Sequence, residues 1–119
     1  MTTEQQRKML ECAAKACGFK KWRVLTSGLF QVSNNENWNE AFAEWTYWDP
    51  ITNPADCADM CAELEIGTYW LYLNGTVDSV ECNCRGCFHE CFLEDHDNSR
   101  LKAWMYAATM CAAKTRRYE

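Results

Sequence analysis

The chain has 119 residues, enough for one compact domain and too few for an enzyme with a separate cofactor module. Apolar and aromatic residues make up 48%, with 2 Pro and 5 Gly, which allows a packed core and argues against a disordered or low-complexity chain. Lys and Arg number 12 against 17 Asp and Glu; the resulting charge of −5 argues against a general nucleic-acid or anionic-membrane binder, which needs a basic surface.

The first twenty residues carry Glu4, Arg7, Lys8 and Glu11 and no continuous apolar run of signal-peptide length. A reducing cytoplasm is therefore the expected compartment, and no membrane association is expected. From Thr3 to Cys17 the apolar positions Met9, Leu10, Ala13, Ala14, Ala16 and Cys17 fall at helical spacing, and Gly18 supplies the stop. Phe19 to Leu25 and Leu29 to Val32 read as a hairpin around Ser27-Gly28, with Trp22 and Val24 on one face of the first strand. In the following stretch Asn34, Asn35 and Asn37 make a polar loop, Asn39 to Trp45 suit a helical turn, and Trp45, Tyr47 and Trp48 alternate into Asp49-Pro50.

Asn53-Pro54 is a strong helix start, a capping Asn followed by Pro at the first helical position. Cys57, Met60, Cys61 and Leu64 recur at i, i+3, i+4 and i+7, a stripe that suits core packing better than metal binding. Next, Asn74-Gly75 between β-rich runs is the strongest hairpin signal in the chain. A two-residue loop there pairs Leu73 with Thr76, Leu71 with Asp78 and Tyr69 with Val80. From Asn98 or Ser99 to about Lys114 runs an amphipathic helix with the stripe Leu101, Trp104, Met105, Ala108, Cys111 and Ala112. The sum is a single α+β domain over residues 1–119: one antiparallel sheet built from two hairpins, with helices packed on it, in the order helix, hairpin, helix, hairpin, helix.

The segments CAAKACG, Trp48-Asp49-Pro50, Asp56 to Ile66 and RLKAWMYAATMCA together resemble the phage ABA-sandwich domain family, small accessory proteins of tailed phages and prophages. The resemblance spans most of the chain and implies phage origin, a location in the host cytoplasm and α+β layering. Small phage accessory proteins commonly antagonise host defence, so it also implies a host protein or defence complex as partner, in the manner of an anti-CRISPR protein.

Nine cysteines stand at Cys12, Cys17, Cys57, Cys61, Cys82, Cys84, Cys87, Cys91 and Cys111, an odd number that disulfides cannot consume. Four of them, Cys82, Cys84, Cys87 and Cys91, lie within ten residues with His89 among them. If a strand end holds the first two and a helical turn the last two, they could close a tetrahedral zinc site, with His89 as a variant ligand. The competing reading is a strand end and short helix whose cysteines simply pack. Catalysis has little support: His89 and His96 are the two histidines, and all five glycines are isolated, so no phosphate loop is evident. No enzyme is expected.

Binding has more. Six Trp and five Tyr exceed what a small core hides, although Trp22, Tyr69 and Trp104 are expected inside. Trp38, Glu40, Glu44, Trp45, Tyr47, Trp48 and Asp49 form an acidic, aromatic candidate surface suited to a basic partner. Two rival readings stay open: a sponge for a nucleotide signal, with rings stacking on a base and Arg23, Arg85 or Arg100 on phosphate, and a small zinc-stabilised structural or regulatory protein. Strands apolar on both faces are also compatible with a homodimer.

Overall fold

In a computed structural model, residues 3–34 and 44–118 are described. Three helices and six strands follow in the order α1 (Thr3–Ala16), β1 (Lys21–Val24), β2 (Phe30–Ser33), β3 (Thr46–Tyr47), α2 (Pro54–Leu64), β4 (Gly67–Leu73), β5 (Thr76–Cys84), β6 (Cys87–Phe92) and α3 (Arg100–Lys114), with a 3-10 turn at Leu93–His96. The fold is α+β, but the expected single sheet is replaced by two: β1-β2-β3 and β4-β5-β6, each antiparallel with its middle strand in the centre. Each hairpin takes its third strand from the chain that follows it, β3 and β6 respectively. Helices then occupy the space between the sheets. α3 packs on β5 and β6 from one side and against α1 and α2 from the other, while α1 reaches β1 and β2.

Local chemistry explains the element ends. The α1 helix stops where Gly18 takes φ 87°, and the amides of Gly18 and Phe19 bond back to the carbonyls of Lys15 and Ala14. Asn53 caps α2 through Oδ1, which accepts from the amides of Ala55 (3.0 Å) and Asp56 (3.4 Å). Ser99 caps α3 through its hydroxyl, which accepts from the Lys102 amide at 3.1 Å.

The amphipathic stripe expected of α3 is too narrow. Ala103, Met105 and all of Ala107 to Ala113 are buried, because neighbours lie on several sides and the alanines let them approach closely. Leu101, placed in that stripe, is instead exposed. At the other end of the chain, the Tyr118 hydroxyl donates to the Gln5 carbonyl at 3.1 Å and ties the C-terminus to α1.

The Asn74-Gly75 turn forms as expected, with φ 53° and 80°, and Leu73 faces Thr76. Beyond Tyr72–Val77 the register differs: Leu71 pairs with Ser79, Trp70 with Val80 and Tyr69 with Glu81. Asp78 is the extra residue of a β-bulge. A one-residue slip exchanges the two faces of a strand. The bulge thereby lets Val77 and the set Val80, Cys82, Cys84 all point toward the helices despite their odd spacing, and turns Glu81 and Asn83 to the opposite face, where Ser79 stays buried and bonds to Glu90.

Candidate functional site

The proposed surface residues separate once placed. Trp38 and Glu40 lie outside the described residues, as does most of the helical turn expected over Asn39 to Trp45. Glu44 is exposed and Tyr47 keeps 58% of its surface open. Trp48 belongs to the core, 6% exposed, with its ring edge-on to Phe19 at 5.4 Å and tilted against Phe30 at 6.2 Å. Tyr47, the last residue of β3, is exposed, whereas the next residue, Trp48, donates its amide to the Phe30 carbonyl at 3.1 Å and turns inward, so the two rings cannot serve one flat surface. Trp45 is half-buried beneath the Arg23 guanidinium, 4.1 Å from its ring centroid.

Asp49 is foremost a turn residue. Its carboxylate accepts from the Ile51 amide (3.1 Å) and the Thr52 hydroxyl (2.8 Å), and its own amide donates to Asp56 Oδ2 at 2.9 Å. That knot fixes the approach to α2, and Asp49 and Asp56 both line a cleft of about 750 Å³. The start of α1, the β1–β2 turn and the Asp49–Asp56 segment enclose it, with Leu10, Leu29 and Tyr47 on its apolar walls. Glu4, Asp49 and Asp56 are its acids and Arg7 its base. Arg7 is already drawn toward Glu4 (3.8 Å) and Glu11 (3.9 Å). A second cleft of about 600 Å³ shares Tyr47, Trp48 and Asp56 and adds Glu44 and Asp59. The α1 wall was not legible in the sequence, because it is brought to Tyr47 only by folding across some forty residues.

The cysteine cluster is a strand pair. Arg85-Gly86, with φ 51° and 84°, makes a second two-residue hairpin turn, and Cys87 to Phe92 continue as β6 in place of the expected helical turn. Cys84 faces Cys87, Cys82 faces His89 and Val80 faces Cys91. The four thiols therefore stand along one ladder. Cys87 and Cys91, four residues apart on a strand, are separated by about 13 Å, whereas a tetrahedral zinc site needs sulfurs within about 4 Å of one another. Among the described residues no three His, Cys, Asp or Glu side chains are grouped to hold a metal ion. His89, the variant ligand, has Nδ1 2.9 Å from the Lys114 ammonium. Burial, then that ammonium and His96, push its pKa down to about 4, so the ring is neutral with its Nδ1 lone pair taken by a cation.

The thiols act as small buried donors. Cys84 donates to the Leu64 carbonyl at the end of α2 (3.2 Å), and Cys111 to the Cys87 carbonyl (3.4 Å), tying helices to sheet. Burial keeps them protonated: it pushes Cys82 up to about 11 and Cys17, Cys91 and Cys111 up to about 12. Cys61 is the exception. A hydrogen bond from Cys57 lowers its pKa, while the same bond and burial raise Cys57, so the shared proton rests on the fully buried partner. All nine cysteines are free.

The sequence also left an outer surface unread. Tyr69, expected inside, is exposed on the side of the β4-β5-β6 sheet away from α3, with Phe88 and Phe92 beside it. Its signal was Arg85-Gly86, a turn pair between alternating residues. Among the described residues no helix is long and apolar enough to cross a membrane. Comparison with protein-family models, with curated proteins and with solved structures gives no match.

Proposed function

We propose that the chain is a binding protein without catalysis of its own, and that the acidic cleft beside Tyr47 receives a basic surface of a protein partner. In line with the phage-family resemblance, that partner is a component of a host antiviral defence and the outcome is its inhibition. One observation carries the binding part: Asp49, Asp56 and Glu4 line an apolar-walled cleft in which, among the described residues, Arg7 is the single base. Such a rim favours cations and disfavours phosphate. The nucleotide-sponge reading gains nothing from the arginines named for it. Arg23 is held on Trp45 and bonded to Gln31 Oε1 at 2.8 Å, and Arg85 and Arg100 sit on other elements.

The test is affinity capture of defence complexes from host lysate, comparing the native chain with Tyr47→Ala and with Glu4→Lys at the exposed start of α1. Support is a captured protein released by salt and lost in both variants, whose purified form is inhibited by the native chain. Capture indifferent to both changes, or none at low salt, overturns the reading.

A further inference from the structure

We propose that the outer face of the β4-β5-β6 sheet is a second docking surface, shaped for an extended protein segment that alternates arginine with apolar residues. The proposal does not rest on the cleft. Register and bulge lay the face out in three rows across the strands: Gly67, Asn83, Phe88; then Tyr69, Glu81, Glu90; then Leu71 and Phe92, with Ser79 between them buried at 2% exposure. Leu73 extends it beyond the bulge. Among the described residues no helix packs on this side, since α3 meets the sheet from the other.

The face is apolar at its margins. Phe88 is 61% exposed, Leu73 60%, Tyr69 53%, Phe92 42% and Leu71 39%. With aromatic side chains of about 150–250 Å² each, these five leave on the order of 500 Å² of apolar surface in water. That lies in the upper part of the roughly 300–600 Å² found for the largest patch of a monomer, which is often functional. Tyr69 does not stand away from the sheet. Its ring lies along the strand over Gly67, where an added Cβ would come within 3.3 Å of Cε2. The glycine lets the ring pave the floor next to Glu81.

The centre decides the occupant. Glu81 stands directly opposite Glu90, an arrangement of like charges that destabilises a strand pair. Ser79 donates to Glu90 at 2.9 Å, but among the described residues neither carboxylate has a cation within ion-pair distance. A guanidinium between them would answer both charges through its planar fork and stack on the neighbouring Tyr69 ring, which an ammonium does less well. A nucleic-acid strand would bring phosphates to the same two carboxylates. A second copy, packed face to face about a two-fold axis, would gather four carboxylates in one dry layer, where uncompensated charge is costly. A cationic strand with apolar flanks fits both parts of the face.

The probe is a short synthetic peptide of alternating arginine and valine, titrated into the isotope-labelled full chain and followed by amide chemical shifts. Shifts confined to Gly67, Tyr69, Glu81, Asn83, Phe88 and Glu90, with a Kd below about 1 mM at low salt, are expected. Glu81→Gln should weaken the peptide about tenfold and yet raise the melting temperature, because it removes the standing repulsion. A merely structural role for Glu81 would not move the two readouts in opposite directions. Tyr69→Ala should weaken binding to a similar degree. Tyr47→Ala should leave it unchanged, so failure here and failure of the cleft are separable. Shifts centred on Tyr47 and Asp49, equal shifts with a glutamate-for-arginine peptide, no shifts at all, or a concentration-dependent dimer closed through Phe88 and Phe92 would each overturn the proposal.

Discussion

The two sheets make an instructive pair, alike in having three antiparallel strands and different in how they place their aromatic residues. At the β1-β2-β3 end Tyr47 is exposed, but Phe30 and Trp48 turn inward. Trp48 closes over Phe19 and Phe30, and all four residues of β2, Gln31 and Ser33 included, are buried. At the β4-β5-β6 end the core side is filled by thiols, valine and the α3 alanines, while Tyr69, Phe88 and Phe92 remain outside. Ring content is therefore a poor guide to where a surface lies. Side-chain volume explains the division: α3 comes close to β5 and β6 because Ala107, Ala108, Ala112, Cys82 and Cys84 are small, and the rings on that side, Trp70, Trp104 and Tyr106, are only partly buried.

The sharpest way to break this comparison is to truncate one ring at each end. Trp48→Ala should cost about 3–5 kcal/mol, the range for emptying a large aromatic site in a packed core. Phe88→Ala should change stability by no more than about 0.5 kcal/mol, as an exposed position should. Urea unfolding of both variants measures the difference. Equal losses would mean that the outer face is covered in solution.

Thiol reactivity sharpens the same contrast between helix and sheet. Cys61 on α2, half-buried and with its thiolate supported by Cys57, should be alkylated first near neutral pH. Cys82, Cys91 and Cys111, pushed up to about 11 or 12 between α3 and the sheet, should react more slowly by a factor of about 100 or more. Peptide-level mass spectrometry of the native chain after brief alkylation reads this order. Fast labelling of Cys82 or Cys111 would show the α3–sheet layer opening.

The effect of pH isolates one residue of that layer. His89 has its folded pKa depressed to about 4 from an ordinary value of 6.5. Between those values the unfolded chain binds a proton that the folded chain refuses, so stability falls as pH drops from about 6.5 toward 4. At about 1.4 kcal/mol per pKa unit, and discounted for solvent screening, the loss is about 2 kcal/mol. His89→Gln should flatten that part of the stability profile while leaving the ladder intact. A slope unchanged by the substitution would show that carboxylates elsewhere govern acid sensitivity.

What could be read in the sequence follows a physical line. Asn53-Pro54, Gly18, Asn74-Gly75 and Ser99 declare their conformations through backbone rules acting over a few residues, and each appears where expected. The bulge at Asp78 does not, because its reason is tertiary: α3 must find Val80, Cys82 and Cys84 on one face. The cleft fails to show for the same reason, its walls being drawn from distant segments. The convergence of the thiols was argued from one local choice, a helical turn at Cys87–Cys91, and that segment is instead the strand β6.

That choice turned on Arg85, and its consequence can be measured. Asn74-Gly75 and Arg85-Gly86 make the same kind of turn, with φ near 50° at the first residue and near 80° at the second. Asn tolerates the left-handed region because its short amide bonds locally, whereas Arg gains no such compensation. Arg85→Asn should therefore stabilise the chain by about 0.5–1 kcal/mol. The reciprocal Asn74→Arg should destabilise by a similar amount, and both should appear in thermal unfolding as small opposite shifts. The Arg85 side chain is exposed at the turn, away from the rows of the outer face, so neither change should alter arginine–valine peptide binding. Stabilisation at position 85 without its mirror at position 74 would mean that the two turns are held by their sheets, with turn chemistry secondary.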